Sequence, residues 1–240
     1  MMLFALFVLN LSIIKISGLS FILLKPVSLL ASFLVIAPTL DYDKFSKSYD
    51  YVNSNTLTKV LGIDKLRSMI GNAVEGDTLE IGVGTGLQLP YYQYNKMKSY
   101  TGIDTSVGMI NQAIEKSKII HQSNNFIVMN ADELNFNDNK FDSVVDTFSM
   151  CVYDNPLKVL NEMKRIIKPN GKIFLIENSV STNSGLRNVQ NLLEPVITPM
   201  SKGCKWNIDI PEIVNTVGLN ELERKDFQLG TLIYGVYSKK

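Results

Sequence analysis

From residue 41 onward, short apolar runs alternate with longer stretches whose apolar positions recur every three or four residues. The short runs predict strands and the longer stretches predict helices. Leu79 to Ile81, Tyr100 to Asp104, Asn125 to Met129, Phe141 to Phe148 and Ile173 to Glu177 form the first group. Leu219 to Phe227 and Thr231 to Tyr237, joined at Gly230, add two closing strands. The helical pattern covers Thr56 to Met69 through Leu57, Leu61 and Leu66, and a second segment through Val107, Ile110, Ile114 and Ser117 that Asp104 or Thr105 can cap. A third runs from Asp154-Asn155-Pro156 through Leu157, Leu160, Met163 and Ile167 to Lys168, where Pro169-Asn170-Gly171 stops it. Asp209-Ile210-Pro211-Glu212 opens a short helix that ends at Gly218. Strand–helix alternation of this kind predicts an α/β fold: a Rossmann-like three-layer sandwich with a seven-stranded, mostly parallel sheet whose last strand is antiparallel.

The first forty residues follow a different pattern. Residues 1–40 hold no acid, and only Lys15 and Lys25 interrupt an apolar sequence. The two lysines cut every uncharged run short of the roughly 18 residues that mark a clear membrane span. Lysines can snorkel, so an apolar helix near Ile16 to Ala37, kinked at Pro26, is the expected element. An uncleaved membrane anchor is weighed here against a removed signal over Met1 to about Gly18, which lacks a basic leader, and against a buried helix of the domain. The composition changes at Asp41, so residues 1–40 read as an anchor or targeting segment and residues 41–240 as one folded domain. Tyr42-Asp43 and Tyr49-Asp50 lie seven residues apart, which puts both tyrosines on one face if that segment is helical.

Candidate chemistry centres on Leu79-Glu80-Ile81-Gly82-Val83-Gly84-Thr85-Gly86, where an apolar run breaks into glycines at every second position. Such glycines accept positive φ and let backbone approach a ligand, with a following helix aiming its N–H groups at an anion. A dinucleotide fingerprint wants its third glycine at Leu87, so a nicotinamide reading is the weaker one. Asp104 ends the next run about 20 residues on, where such units place a carboxylate for ribose hydroxyls.

These residues, with Asp132 after the third run, Asp146-Thr147 in the fourth and Lys168-Pro169-Asn170-Gly171-Lys172 before the fifth, resemble the class I S-adenosylmethionine (SAM) dependent methyltransferases. Within that superfamily the chain is similar to membrane-associated methyltransferase-like proteins, of the fungal mitochondrial inner-membrane type and the animal thiol methyltransferase type. Leu79 to Tyr92, Asp146 to Pro156, Leu160 to Glu177 and Gly203-Cys204-Lys205-Trp206-Asn207 carry that similarity. The resemblance implies SAM as cofactor, with S-adenosylhomocysteine (SAH) as product. It implies a cofactor site of Glu80 beneath the methionine end, Gly82, Gly84 and Gly86 in the turn, Asp104 and Thr105 at the ribose, Asp132 at the adenine amino group, and Asp146 or Thr147 at the ammonium. The acceptor it implies is a small molecule such as a lipid, quinone or thiol. The membrane would be reached through residues 1–40 and would be mitochondrial or endoplasmic-reticulum. A methyltransferase-like membrane protein with a scaffolding role is the competing reading.

Charge and rare residues narrow the alternatives. A formal net charge of +1 and scattered lysines give no reason to expect nucleic acid. One histidine, His121, expected on the surface near a helix end, supports neither a histidine-rich metal site nor a hydrolase triad, and no metal is expected. Cys151 and Cys204 have no metal-type spacing and are expected as reduced thiols or small core residues. Methyl transfer from a sulfonium needs no acid for its leaving group, so no catalytic residue is assigned. An acceptor with an acidic proton could be served by Asp146, Ser149 or Tyr153.

Overall fold

The computed structural model describes residues 13–16, 19–22, 41–53, 62–120, 124–201 and 203–240. Its main body is a seven-stranded sheet with strands β3 (Gly76–Ile81), β4 (Met97–Asp104), β5 (Asn125–Val128), β6 (Phe141–Thr147), β7 (Ile167–Asn178), β8 (Asn220–Phe227) and β9 (Leu232–Ser238). Across the sheet the order is β5-β4-β3-β6-β7-β9-β8. The first five strands in that order pair in parallel, and β9 runs antiparallel to both neighbours. Chain order reverses on either side of β3, so the crevice beyond the carboxyl ends of β3, β4 and β6 is the switch point where such sheets bind ligands.

Alternate residues of the central strands bury on opposite faces, as a period of two requires. Val144 and Leu175 face a cluster completed by Leu160, Met163 and Ile166 of α4 (Pro156–Ile166) and by Ile210, Val214 and Val217 of α6 (Ile210–Val217). Val145, Phe174 and Ile176 face the other way, onto Ile63, Leu66 and Ile70 of α2 (Ile63–Ala73). Burying each such side chain contributes about 1.5–3 kcal/mol, which fixes both sheet register and helix face. The other helices are α1 (Tyr42–Asn53), α3 (Val107–Ile119) and α5 (Ser184–Met200).

Several sequence expectations change. Gly62, at φ 73°, precedes a helix from Ile63 to Ala73, which passes the expected end at Met69; the expected start at Thr56 lies outside the described residues. Ser106 caps α3 by accepting from Met109 N, displacing Asp104 and Thr105 from that role. The helix after Asn155-Pro156 stops at Ile166 and buries Val159 and Ile166, while Leu157 is exposed. Pro169-Asn170-Gly171 lies inside β7: Phe141 pairs Ile167 and Ser143 pairs Lys172, so the residues between bulge out. There Lys168 meets Asp142 at 2.8 Å.

The apolar helix expected in the first forty residues is not among the described elements. Instead β1 (Ile13–Ile16) and β2 (Leu19–Ile22) pair antiparallel, and the remainder of that segment lies outside the described residues, as does His121. Among the described residues no helix is long and apolar enough to cross a membrane. Cys151 and Cys204, expected as separate thiols, are joined in a disulfide with Cα atoms 4.7 Å apart. The bond ties the loop after β6 to the segment after α5, and 53 residues of separation hid the pair from spacing alone.

Candidate functional site

The turn after β3 is held by its own backbone and by one acid. Val83 N donates to Ile103 O at 2.9 Å, and Gly86 N donates to Val83 O at 2.9 Å. Gly82, Gly84 and Gly86 take φ of 63°, 54° and 77°, values an L side chain rarely adopts. At Gly82 an added Cβ would collide with Ser149 Oγ and approach the Tyr153 hydroxyl to 3.2 Å. At Gly84 the nearest atom to such a Cβ is Gly82 O, 4.0 Å away, so this part of the turn faces open space. No α-helix follows the turn. Pro90 lies in a short 3₁₀ turn, Leu89–Tyr91, where an α-helix start was expected from the glycines.

Asp104, at the end of β4, accepts from Gly84 N and from Ser106 N, each at 2.9 Å, one at each carboxylate oxygen. Every carboxylate oxygen has two lone pairs, so each retains capacity for a hydroxyl donor. Burial pushes Asp104 up, against the lowering effect of these N–H bonds. Thr105 is exposed at the rim, and Asp132 is half-buried with its own N–H donating to Asn130.

Glu80, one strand-width inside, is buried and accepts from Tyr92 and Tyr100 hydroxyls at 2.8 and 2.7 Å on one oxygen. Burial pushes it up to about 7, although the two tyrosines and Arg67 oppose that shift. Arg67 of α2 reaches Gln88 at 3.4 Å and Thr147 at 3.5 Å, and its guanidinium lies 5.8 Å from the Phe148 ring centroid. No pattern in the sequence singled out Arg67, because on a helix it reads as one more solvated charge.

Helix α1 closes the crevice from above. Asp43 accepts from Ser106 Oγ at 2.6 Å and from Gly108 N at 2.7 Å, which holds its carboxyl below the usual range. Asp50 accepts from Thr85 Oγ1 in the glycine turn and pairs with Lys116 at 2.7 Å. Gly108 is needed for this contact, since a Cβ there would lie 2.6 Å from Asp43 O. The two Tyr-Asp pairs thus supply acids that fasten the helix, alongside whatever their rings contact.

On the β6–β7 side, Asp146 is fully buried and accepts from the Tyr153 hydroxyl at 2.9 Å. Glu177, also fully buried, accepts from Ser149 N at 3.1 Å. Asp146 Oδ1 and Glu177 Oε2 receive no N–H or O–H donor. Burial raises both, and the Asp146 charge raises Glu177 as well. Glu177 was legible only as a strand end. Among the described residues no cluster of three or more metal-ligating side chains occurs.

A glycine turn open at Gly84, an acid on the adjacent strand end and a covering helix define a nucleoside-cofactor crevice at the edge of a parallel sheet. Comparison with known proteins gives that crevice its family. The methyltransferase domain family matches residues 79–175. Demethylmenaquinone methyltransferase of Bacillus licheniformis is 31% identical over 166 residues, covering 66% of this chain and 70% of that protein. The mitochondrial methyltransferase OMS1 of Saccharomyces cerevisiae is 25% identical over 217 residues, 82% of this chain but 46% of that one. A SAM-dependent methyltransferase from Aquifex aeolicus shares the fold, with a TM-score of 0.56 at 21% identity over 83% of this chain and 98% of its own. The chain belongs to the SAM-dependent methyltransferases, and SAM is its cofactor. It spans about half the length of several of the curated relatives it matches.

Proposed function

We propose that this chain transfers a methyl group from SAM to a small acceptor held at a membrane surface, of the lipid, quinone or thiol class. The observation that carries the reading is the open space at Gly84 beside a carboxylate with unused lone pairs. It suits a ligand with ribose hydroxyls and a backbone-hugging tail. SAM supplies an electrophilic methyl on a sulfonium, whose departing thioether needs no proton.

The protein's part is to bind, orient and exclude water, and such positioning can lower a barrier by about 7–11 kcal/mol. Gly82, Gly84 and Gly86 admit the cofactor to the backbone. Asp104 and Thr105 hold the ribose, and Asp132 takes the adenine amino group. Glu80 stiffens the floor beneath the methionine end through Tyr92 and Tyr100, while Asp146 and Thr147 set the electrostatics on the ammonium side. Helix α1, fastened by Asp43 and Asp50, keeps water out.

The acceptor class is supported by three observations. Residues 1–40 are apolar and free of acids. Helix α5 exposes Val189, Leu192 and Val196 at spacings of three and four, an apolar row suited to a lipid surface. A relative that the chain covers over most of its length is named for a quinone substrate. The mitochondrial relative favours a mitochondrial membrane, with endoplasmic reticulum as the alternative. Incubating the full chain with methyl-labelled SAM and membrane extract is the direct test. Label in a lipid, quinone or thiol fraction is expected; none in any fraction, with SAH still bound, would replace turnover with the scaffolding role.

A further inference from the structure

We propose that Arg67 binds the carboxylate of the cofactor's methionine, so that the ligand supplies the counter-ion this buried guanidinium lacks. The proposal rests on the methyltransferase reading above and adds a recognition site to it. Arg67 is 8% exposed and lies on the core-facing side of α2, among Ile63, Leu66, Ile70 and Gly71. A cation placed there is costly unless an anion and well-formed hydrogen bonds accompany it. The chain has three other arginines, all far more exposed, and each meets a carboxylate. Arg165 lies 2.8 Å from both Asp138 and Glu162, Arg187 lies 3.4 Å from Asp209, and Arg224 lies 3.3 Å from Glu221 and 3.2 Å from Asp226. Arg67, the buried one, forms no ion pair among the described residues. It has instead two long hydrogen bonds, both from Nη1, to Gln88 Oε1 at 3.4 Å and Thr147 Oγ1 at 3.5 Å. Ordinary N–H···O bonds are about 2.7–3.2 Å and a guanidinium has five N–H donors, so most of its donor capacity is unused.

The same contacts place the guanidinium at the cofactor turn. Strands β3 and β6 run parallel with Ile81 beside Asp146, so the residues that follow, Gly82 and Thr147, lie at the same level. Gln88 comes two residues after Gly86, and its Nε2 donates back to Arg67 O at 2.9 Å. Arg67 therefore reaches both ends of the glycine turn. Its charge opposes the upward shifts of Glu80 and of Tyr49 on α1, which sets it between the floor of the crevice and the covering helix. Glu80 feels that charge yet forms no ion pair with it; Tyr92 and Tyr100 donate to that carboxyl instead. SAM and SAH both end in a zwitterionic amino acid, and a carboxylate matches the guanidinium fork in bidentate, charge-assisted geometry. With Asp146 on the ammonium side, the two ends of that zwitterion would each meet the opposite charge.

The test uses the full chain and calorimetry with two ligands: SAH, and decarboxylated SAH, which keeps the adenosine, the sulfur and the amine. Wild type is expected to bind SAH about 10- to 150-fold more tightly than the decarboxylated analogue, the range for one charged hydrogen-bonding contact. Arg67→Met keeps the bulk of the stem and removes the charge. It should weaken SAH by that same factor and leave the analogue within about threefold of wild type, so that the preference collapses. Arg67→Lys keeps a charge without the fork and should retain only part of the preference, which tests the assignment even if Arg67→Met does not fold. Equal binding of the two ligands by wild type would overturn the proposal with no variant needed. So would equal weakening of both ligands in Arg67→Met, which is what a purely structural arginine would give. The full wild-type preference kept in either variant would also overturn it, placing the carboxylate elsewhere and leaving the guanidinium to an anionic acceptor. Wild type that binds neither ligand would instead remove the methyltransferase reading itself, which separates the two failures.

Discussion

Buried acids at the two sides of the crevice are treated in opposite ways. On the β3–β4 side, Glu80 and Asp104 each have two donors fixed on them, from tyrosine hydroxyls or from backbone N–H groups. On the β6–β7 side, Asp146 and Glu177 each leave one buried oxygen without a hydrogen-bond partner. The first arrangement holds geometry, because satisfied carboxylates stiffen a turn and a strand end. The second is costly to hold, because a buried carboxylate oxygen left without a partner bears its full desolvation penalty. One edge of one sheet therefore carries a satisfied set of acids and an unsatisfied one on neighbouring strands.

Substitutions can break this division. The largest effect is expected for Gly82→Ala, which places a Cβ against Ser149 and Tyr153 at a φ that L residues resist. SAH affinity should fall by about 100-fold or more, and calorimetry that finds it unchanged would mean the turn is not a cradle. Cys204→Ser opens the link from the β6 loop to the segment after α5 and should cost about 2–4 kcal/mol of unfolding free energy in urea, with SAH affinity little altered. A loss of SAH binding without loss of stability would place the disulfide in the wrong half. Asp104→Ala removes a charged hydrogen-bond acceptor worth about 1.5–3 kcal/mol, so SAH should bind roughly 10 to 150-fold more weakly.

The smallest effect is a pH dependence. Glu80 rises from 4.5 to about 7 on folding, so the folded state holds its proton more tightly than the unfolded chain does. Its contribution to stability is full below the unfolded value and is lost as pH rises toward and through 7. Asp104, Asp146 and Glu177 are shifted in the same direction, so the informative quantity is the difference between wild type and Glu80→Gln. Urea melts from pH 4.5 to 7.5 should fall less steeply in the variant, and parallel slopes would show that Glu80 does not titrate there.

The sheet was legible from the sequence because each buried strand is short, apolar and punctuated, and the capping residues Asn155 and Asp209 announce their helices. The glycine turn and Asp104 were legible for the same local reason. What sequence could not give was anything set by contact between distant strands. The Asp146–Glu177 pair needs β6 beside β7, and the Glu80–Tyr92–Tyr100 group needs β4 beside β3. The disulfide requires two loops to meet. Helix α5 escaped because Pro195 and Pro199 interrupt its pattern. In the first forty residues, hydropathy alone pointed to a helix where the described part pairs as strands.

Helix α1 is only twelve residues, about 18 Å of rise, and it is stapled across the mouth of the crevice. The apolar composition of residues 1–40 gives way at residue 41, where that staple begins. On the membrane-surface reading proposed above, the mouth of the crevice would work against the lipid headgroups. The enzyme would then meet its acceptor by diffusion in a plane, and its working concentration variable would be molecules per area of membrane.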